Sequence, residues 1–143
     1  MREVHLEVRG MTPKGLGSAD LEWRSALLEA SRKVPPADVT PESLFSVEAT
    51  FYLLPQGVWN LVDLDNLSKP LLDSLFRPRH LQLPEGLRGS LFDADDGQVM
   101  RLTLRKEMVH EPGDEGVDVA VTWTQPEPGS GRQGSASPDQ AGT

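Results

Sequence analysis

Phe45-Ser-Val-Glu-Ala-Thr-Phe-Tyr-Leu53 alternates without a break: Phe45, Val47, Ala49, Phe51 and Leu53 fall on one face, and Ser46, Glu48, Thr50 and Tyr52 on the other. A period of two is that of a half-buried strand, and Pro55-Gln-Gly57 closes it. Upstream, Val4, Leu6 and Val8 alternate with His5 and Glu7, giving a first strand over 2–9. Between the two strands, Gly10 to Gly17 reads as loop. Ser18 or Asp20 can then cap a helix whose apolar residues Leu21, Ala26, Leu27, Leu28 and Ala30 line one side, and Pro35-Pro36 ends it.

Downstream of Leu53, Leu67, Leu71, Leu72 and Leu75 recur at helical spacing. A short helix is expected over 66–76, with Asp65 or Asn66 as N-cap and Pro70 in the first turn, where proline is tolerated. Phe76 to Asp95 holds Pro78, Pro84, Gly86 and Gly89 without a sustained period and reads as a long surface loop, a candidate lid or junction contact. Val99 to Val109 resumes alternation, with Met100, Leu102 and Leu104 against Arg101, Thr103 and Arg105. After the turn at 110–116 come Val117, Val119, Val121 and Trp123, so the last two strands are expected to pair as a hairpin. The order β-α-β-α-β-β describes an α+β domain with helices packed on one sheet.

Gln125 to Thr143 is almost all Pro, Gly, Ser, Gln and Ala, cannot bury enough apolar surface to offset its chain entropy, and is expected to be disordered. The reading is therefore one domain over 1–124 and a tail over 125–143. A chain of 143 residues is sufficient for a single core. It has no cysteine, which excludes disulfides, zinc thiolates and thiol nucleophiles, so any metal must be held by oxygen or imidazole. The sequence carries no apolar run long enough for a membrane span and no signal-peptide pattern at Met1-Arg-Glu-Val-His-Leu-Glu-Val8, so no membrane partner and a cytoplasmic location are expected. Fourteen Lys and Arg against twenty-two Asp and Glu give a net charge of -8, the wrong sign for gripping phosphates through bulk charge.

Asp63-Leu-Asp-Asn-Leu67 places two carboxylates at a helix start, where orphan N–H groups and the helix dipole favour the ionised form. Hard cations such as Mg²⁺ take oxygen ligands, and Asp95 and Asp96 supply further carboxylates elsewhere in the chain. Lys69 lies one turn after Asp65, and Asp73 one turn further. The same residues also read as a surface row of i, i+4 ion pairs with a capping aspartate, and Asp95-Asp96-Gly97 alone also reads as a turn.

The string Asp63-Leu-Asp-Asn-Leu-Ser-Lys-Pro-Leu-Leu-Asp-Ser-Leu75, followed by Asp95-Asp-Gly-Gln-Val99, resembles the RusA family of Holliday junction resolvases, whose pattern is Asp-x-Asp-Asn-Leu-x-Lys and then Asp-Asp-x-Gln-Val. The resemblance covers about 60–109. It implies catalytic acids at Asp63, Asp65 and Asp96, with Lys69 as an accessory basic residue, and a metal site of Asp63, Asp65, Asp95 and Asp96 holding Mg²⁺, with Mn²⁺ as an alternative. It further implies a homodimer that cuts branched DNA by phosphodiester hydrolysis, in recombination and repair.

Members of that family carry arginines before the Asp-x-Asp block, whereas Gln56-Gly-Val-Trp-Asn-Leu-Val62 has none. Arg77, Arg79 and Arg88 in the loop, or Arg101 and Arg105 on the following strand, are the candidate DNA contacts in their place. Trp59 is a candidate for stacking on an unpaired base, or else a core or interface residue. His5, His80 and His110 are scattered and take no role. The competing readings are a non-catalytic member that binds DNA or protein, and an acidic ion-binding domain.

Overall fold

The computed structural model describes residues 2–14, 20–34, 39–55, 63–76, 91–92 and 94–124. The expected order is present: β1 (Arg2–Arg9), α1 (Asp20–Arg32), β2 (Leu44–Leu53), α2 (Leu64–Leu75), β3 (Val99–Met108) and β4 (Gly116–Thr124). The strands form one sheet in the order β1-β4-β2-β3. One face is apolar: Leu6 and Val8, the odd residues of β2 from Phe45 to Leu53, and Val117, Val119, Val121 and Trp123 are all buried. Trp23 and Leu27 of α1 and Leu67, Leu71 and Leu75 of α2 complete the same core. The other face is polar, carrying Glu3, His5, Glu7, Glu48, Asp118, Arg101 and Arg105.

The last two strands do not form a hairpin. β4 lies between β1 and β2 and is antiparallel to both, while among the described residues β3 pairs with β2 alone, in parallel. The connection passes the end of β2, where the Val109 N–H donates to the Leu53 carbonyl at 2.9 Å, and turns through Pro112–Asp114. Composition explains the exchange: all four apolar positions of β4 need cover, whereas β3 carries Arg101, Arg105, Lys106 and Glu107 and tolerates the margin. Gly116 opens β4 at φ +149°, and a Cβ there would lie 1.8 Å from the Val8 carbonyl oxygen, so only glycine lets β1 approach so closely.

Three other expectations change. The helix α1 turns Trp23 rather than Leu21 inward: Trp23 is fully buried and Leu21 is 48% exposed. A face centred on Trp23 and Leu27 spans one turn and meets β1 and α2, leaving Leu21 off its edge. The helix α2 starts two residues early, with Asp63 as N-cap and its carbonyl accepting the Leu67 N–H at 3.0 Å. Pro70 consequently lies inside the helix and not in its first turn, where it cannot donate to the Asn66 carbonyl. The ends of the 76–95 segment are not surface: Phe76 and Phe92 are fully buried and pack with Phe45 and Trp123 at centroid distances of 5.0 to 5.7 Å.

Residues 77–90 of that segment and the tail at 125–143 lie outside the described residues. Among the described residues, no helix is long and apolar enough to cross a membrane.

Candidate functional site

Asp63 and Asp65 are both exposed, Asp63 at the N-cap of α2 and Asp65 in its first turn, with the Asp65 side chain 87% exposed. The Asp63 side chain makes no cap hydrogen bond, so neither of its oxygens is committed to the free N–H groups of the helix. Lys69 does project from the Asp65 face, with Nζ 3.9 Å from Asp65 Oδ2, at the outer limit of an ion pair and well solvated. The row ends there. Asp73 turns away to pair with the buried Arg24 of α1 at 3.3 Å, a contact that joins the two helices. The residues at 65, 69 and 73 are therefore not one surface ladder: the first two are open, and the third is structural.

The second acidic pair stands on a short 3-10 turn, Asp96–Gln98, that runs directly into β3. The Asp95 N–H donates to Gln98 Oε1 at 3.2 Å, and the Gln98 N–H to the Asp95 carbonyl at 3.0 Å. Gln98 Nε2 in turn donates to the carbonyls of Thr40 and Ser43, at 3.1 and 2.9 Å. One side chain thus ties the acidic turn to itself and to the segment that starts β2. The sequence contained Gln98 only as part of the motif, and its positioning role depends on Thr40 and Ser43 being neighbours, which no local pattern reports. Asp96 is exposed and Asp95 half-buried.

The two pairs occupy opposite ends of α2. After residue 90 the chain returns to the C-terminal end of that helix, where Leu91 and Phe92 N–H groups donate to the Ser74 and Leu75 carbonyls at 3.2 and 2.8 Å. Phe76 contacts Phe45, and Phe45 pairs with Val99, so Asp95 and Asp96 lie at the end of the sheet where β2 begins. Asp63 and Asp65 lie at the other end of a twelve-residue helix, about 18 Å long. Ligands of one Mg²⁺ must all come within about 2.1 Å of it. Asp63, Asp65 and Asp96 do not converge in one chain, and among the described residues no three His, Asp or Glu form a group able to hold a metal. Oxygen donors of the right chemistry are present, but divided into two pairs.

Arg101 and Arg105 are exposed on the polar face of β3, four residues and about 13 Å apart. Arg77, Arg79, Arg88, Trp59 and His80 lie outside the described residues. A cavity of about 590 Å³ opens elsewhere, lined among others by His5, Glu7, Lys33, Glu48 and Asp118, and contains none of the motif acids. Next to it, Asp118 accepts from Arg9 at 2.6 Å and from the Tyr52 hydroxyl at 3.0 Å. Burial first, and then the hydrogen bond and charge of Asp118, raise the Tyr52 pKa.

No family description matches this chain, and no curated protein matches it.

Proposed function

We propose that the protein is a divalent-metal-dependent endodeoxyribonuclease of the RusA type, acting in the cytoplasm on four-way junctions or related branched DNA, in recombination and repair, as a homodimer. The observation that supports it is the placement of the two motif blocks, each at the start of an element and each presenting an exposed acid, at the two ends of α2. A two-fold axis supplies what one chain lacks: Asp63 and Asp65 of one protomer face Asp95 and Asp96 of the other, twice, giving two sites for two opposed nicks. Bound Mg²⁺, or Mn²⁺ in its place, supplies Lewis-acid chemistry at the scissile phosphodiester. Lys69, one turn from Asp65 and half-exposed, stabilises the negative charge that develops on the phosphate oxygens. Arg101 and Arg105 hold flanking phosphates and carry no base readout.

Incubation with a four-way junction, a flap and a linear duplex, each with Mg²⁺ or chelator, tests the reading; cleavage confined to branched DNA and abolished by chelator is expected. Asp65→Asn and Asp96→Asn should each abolish cleavage and leave DNA binding intact. Mixing the two dead variants is the sharper measurement. Each heterodimer regains one intact site, so an equal mixture should recover roughly a quarter of the wild-type nicking rate. Wild-type cleavage by either single variant overturns the mechanism, and no recovery on mixing overturns the shared site. Binding of junctions without any cleavage would favour a non-catalytic module, the reading supported by the net charge of -8.

A further inference from the structure

The two acids of the turn before β3 stand in different surroundings. Asp96 is exposed, and among the described residues its carboxylate has no hydrogen bond or ion pair. Asp95 is half-buried and folded back over the turn. It forms a capping box with Gln98: the Asp95 carboxylate is turned to the Gln98 N–H, and Gln98 Oε1 accepts the Asp95 N–H at 3.2 Å. Gly97 lies against that carboxylate, where a Cβ would come within 3.0 Å of Asp95 Oδ2. The platform under the box is itself fixed. Ser43 is fully buried, its Oγ accepts the Thr40 N–H at 2.9 Å, and the carbonyls of both residues hold Gln98 Nε2. Ala94 is buried in the core on one side of the turn, and Val99 pairs with Phe45 on the other.

We propose that Asp95 is a positioning residue and not a metal ligand: its carboxylate caps the turn Asp96–Gln98 and so fixes the direction in which Asp96, alone of the pair, meets the metal. Asp96 gives up no contact to approach a cation, whereas Asp95 has to abandon the cap and let the turn loosen. The neighbouring acids thus divide the work, one holding the backbone and the other presenting oxygen. This division rests on the metal-dependent reading above; the cap itself rests on the geometry of the turn. Cap and ligand make opposite demands on residue 95. Serine and asparagine are good caps without charge, while glutamate keeps the charge but carries it one methylene further from the turn.

In junction cleavage with Mg²⁺, Asp95→Ser and Asp95→Asn should therefore each cut about ten-fold faster than Asp95→Ala or Asp95→Glu. Faster cleavage by Asp95→Glu than by both polar variants overturns the proposal. Binding of Mn²⁺, followed by electron paramagnetic resonance, should weaken about ten-fold more in Asp96→Ser than in Asp95→Ser, and equal losses overturn it. A third readout needs neither metal nor DNA. In the metal-free full chain, Asp95→Ala should speed hydrogen exchange of the Gln98 amide about five-fold, the loss expected of one cap, while Asp95→Ser stays near the wild-type rate. Gly97→Ala should speed the same exchange when Asp95 is present and not in the Asp95→Ala background, because the added methyl group acts through the Asp95 carboxylate. An unchanged rate in Asp95→Ala, or a Gly97→Ala effect equally large without the carboxylate, removes the cap. Thermal melts by circular dichroism verify that each variant folds. A wild type that binds no Mn²⁺ and cuts no branched DNA, with the exchange results as expected, keeps the cap and removes the nuclease reading, whereas cleavage with the exchange results reversed does the opposite.

Discussion

β3 and β4 are neighbours in sequence and nearly equal in length, yet they hold opposite places in the sheet. β4 is central, with Val117, Val119, Val121 and Trp123 each no more than 3% exposed. β3 is marginal, and Met100 is 69% and Leu102 40% exposed. Both alternate, so alternation alone did not separate them. Charge did: β4 has one ionisable residue, Asp118, and β3 has four. The core strand holds the domain together, and the margin is free to carry the acids at its start, the arginines on its polar face and the apolar row on its edge.

The largest expected effect comes from removing that contrast at its extremes. Trp123→Ala empties part of the aromatic cluster with Phe45 and Phe92 and should cost about 3–5 kcal/mol in urea unfolding, whereas Met100→Ala should change stability by less than about 0.5 kcal/mol. If Met100→Ala proved as damaging to the isolated protomer as Trp123→Ala, the assignment of β3 to the margin would be wrong.

An intermediate effect separates the inner from the outer face of α2. Arg24→Ala strips a buried guanidinium from Asp73 and should cost about 2 kcal/mol, a value reduced from that of a fully buried pair because Asp73 is 21% exposed. Lys69→Ala breaks a solvated contact at 3.9 Å and should cost less than about 0.5 kcal/mol while lowering the rate of junction cleavage. Equal thermal losses in the two variants would erase the distinction between structural and open acids.

A small, pH-dependent effect lies on the polar face. Tyr52 has a pKa raised by burial and by Asp118, so its contribution is complete below the ordinary tyrosine range near 10 and is lost as pH rises through the higher folded value. Tyr52→Phe should cost about 0.5 kcal/mol at neutral pH and should remove part of the alkaline loss of stability, readable from melts on either side of pH 10.

Much of the secondary structure was legible in the chain. β1 and β2 follow from alternation, and α2 from the spacing of Leu67, Leu71 and Leu75, because period two and period 3.6 are imposed by the local backbone. The start of α2 differs by two residues from the expected one, since Asp63, Asp65 and Asn66 are all competent caps and only the Asp63-to-Leu67 hydrogen bond chooses among them. The burial of Trp23 has no signal in a helix whose aliphatic residues set the period, and that of Phe76 and Phe92 has none because no periodicity marks the ends of a long connection.

For the candidate site, the residue types and their two blocks were fully visible: Asp63, Asp65 and Lys69, then Asp95 and Asp96, with oxygen donors of the kind a hard cation takes. Their distance was not. Sequence by itself determined the strands, the helices and the acids, because each is set by neighbours within a few residues. Only the tertiary structure decided that β2 separates β3 from β4, that Gln98 reaches Thr40 and Ser43, and that the two acidic pairs stand at opposite ends of α2. Those relations join residues distant in the chain, and the burial of the apolar face, which selects them, is a property of the whole sheet.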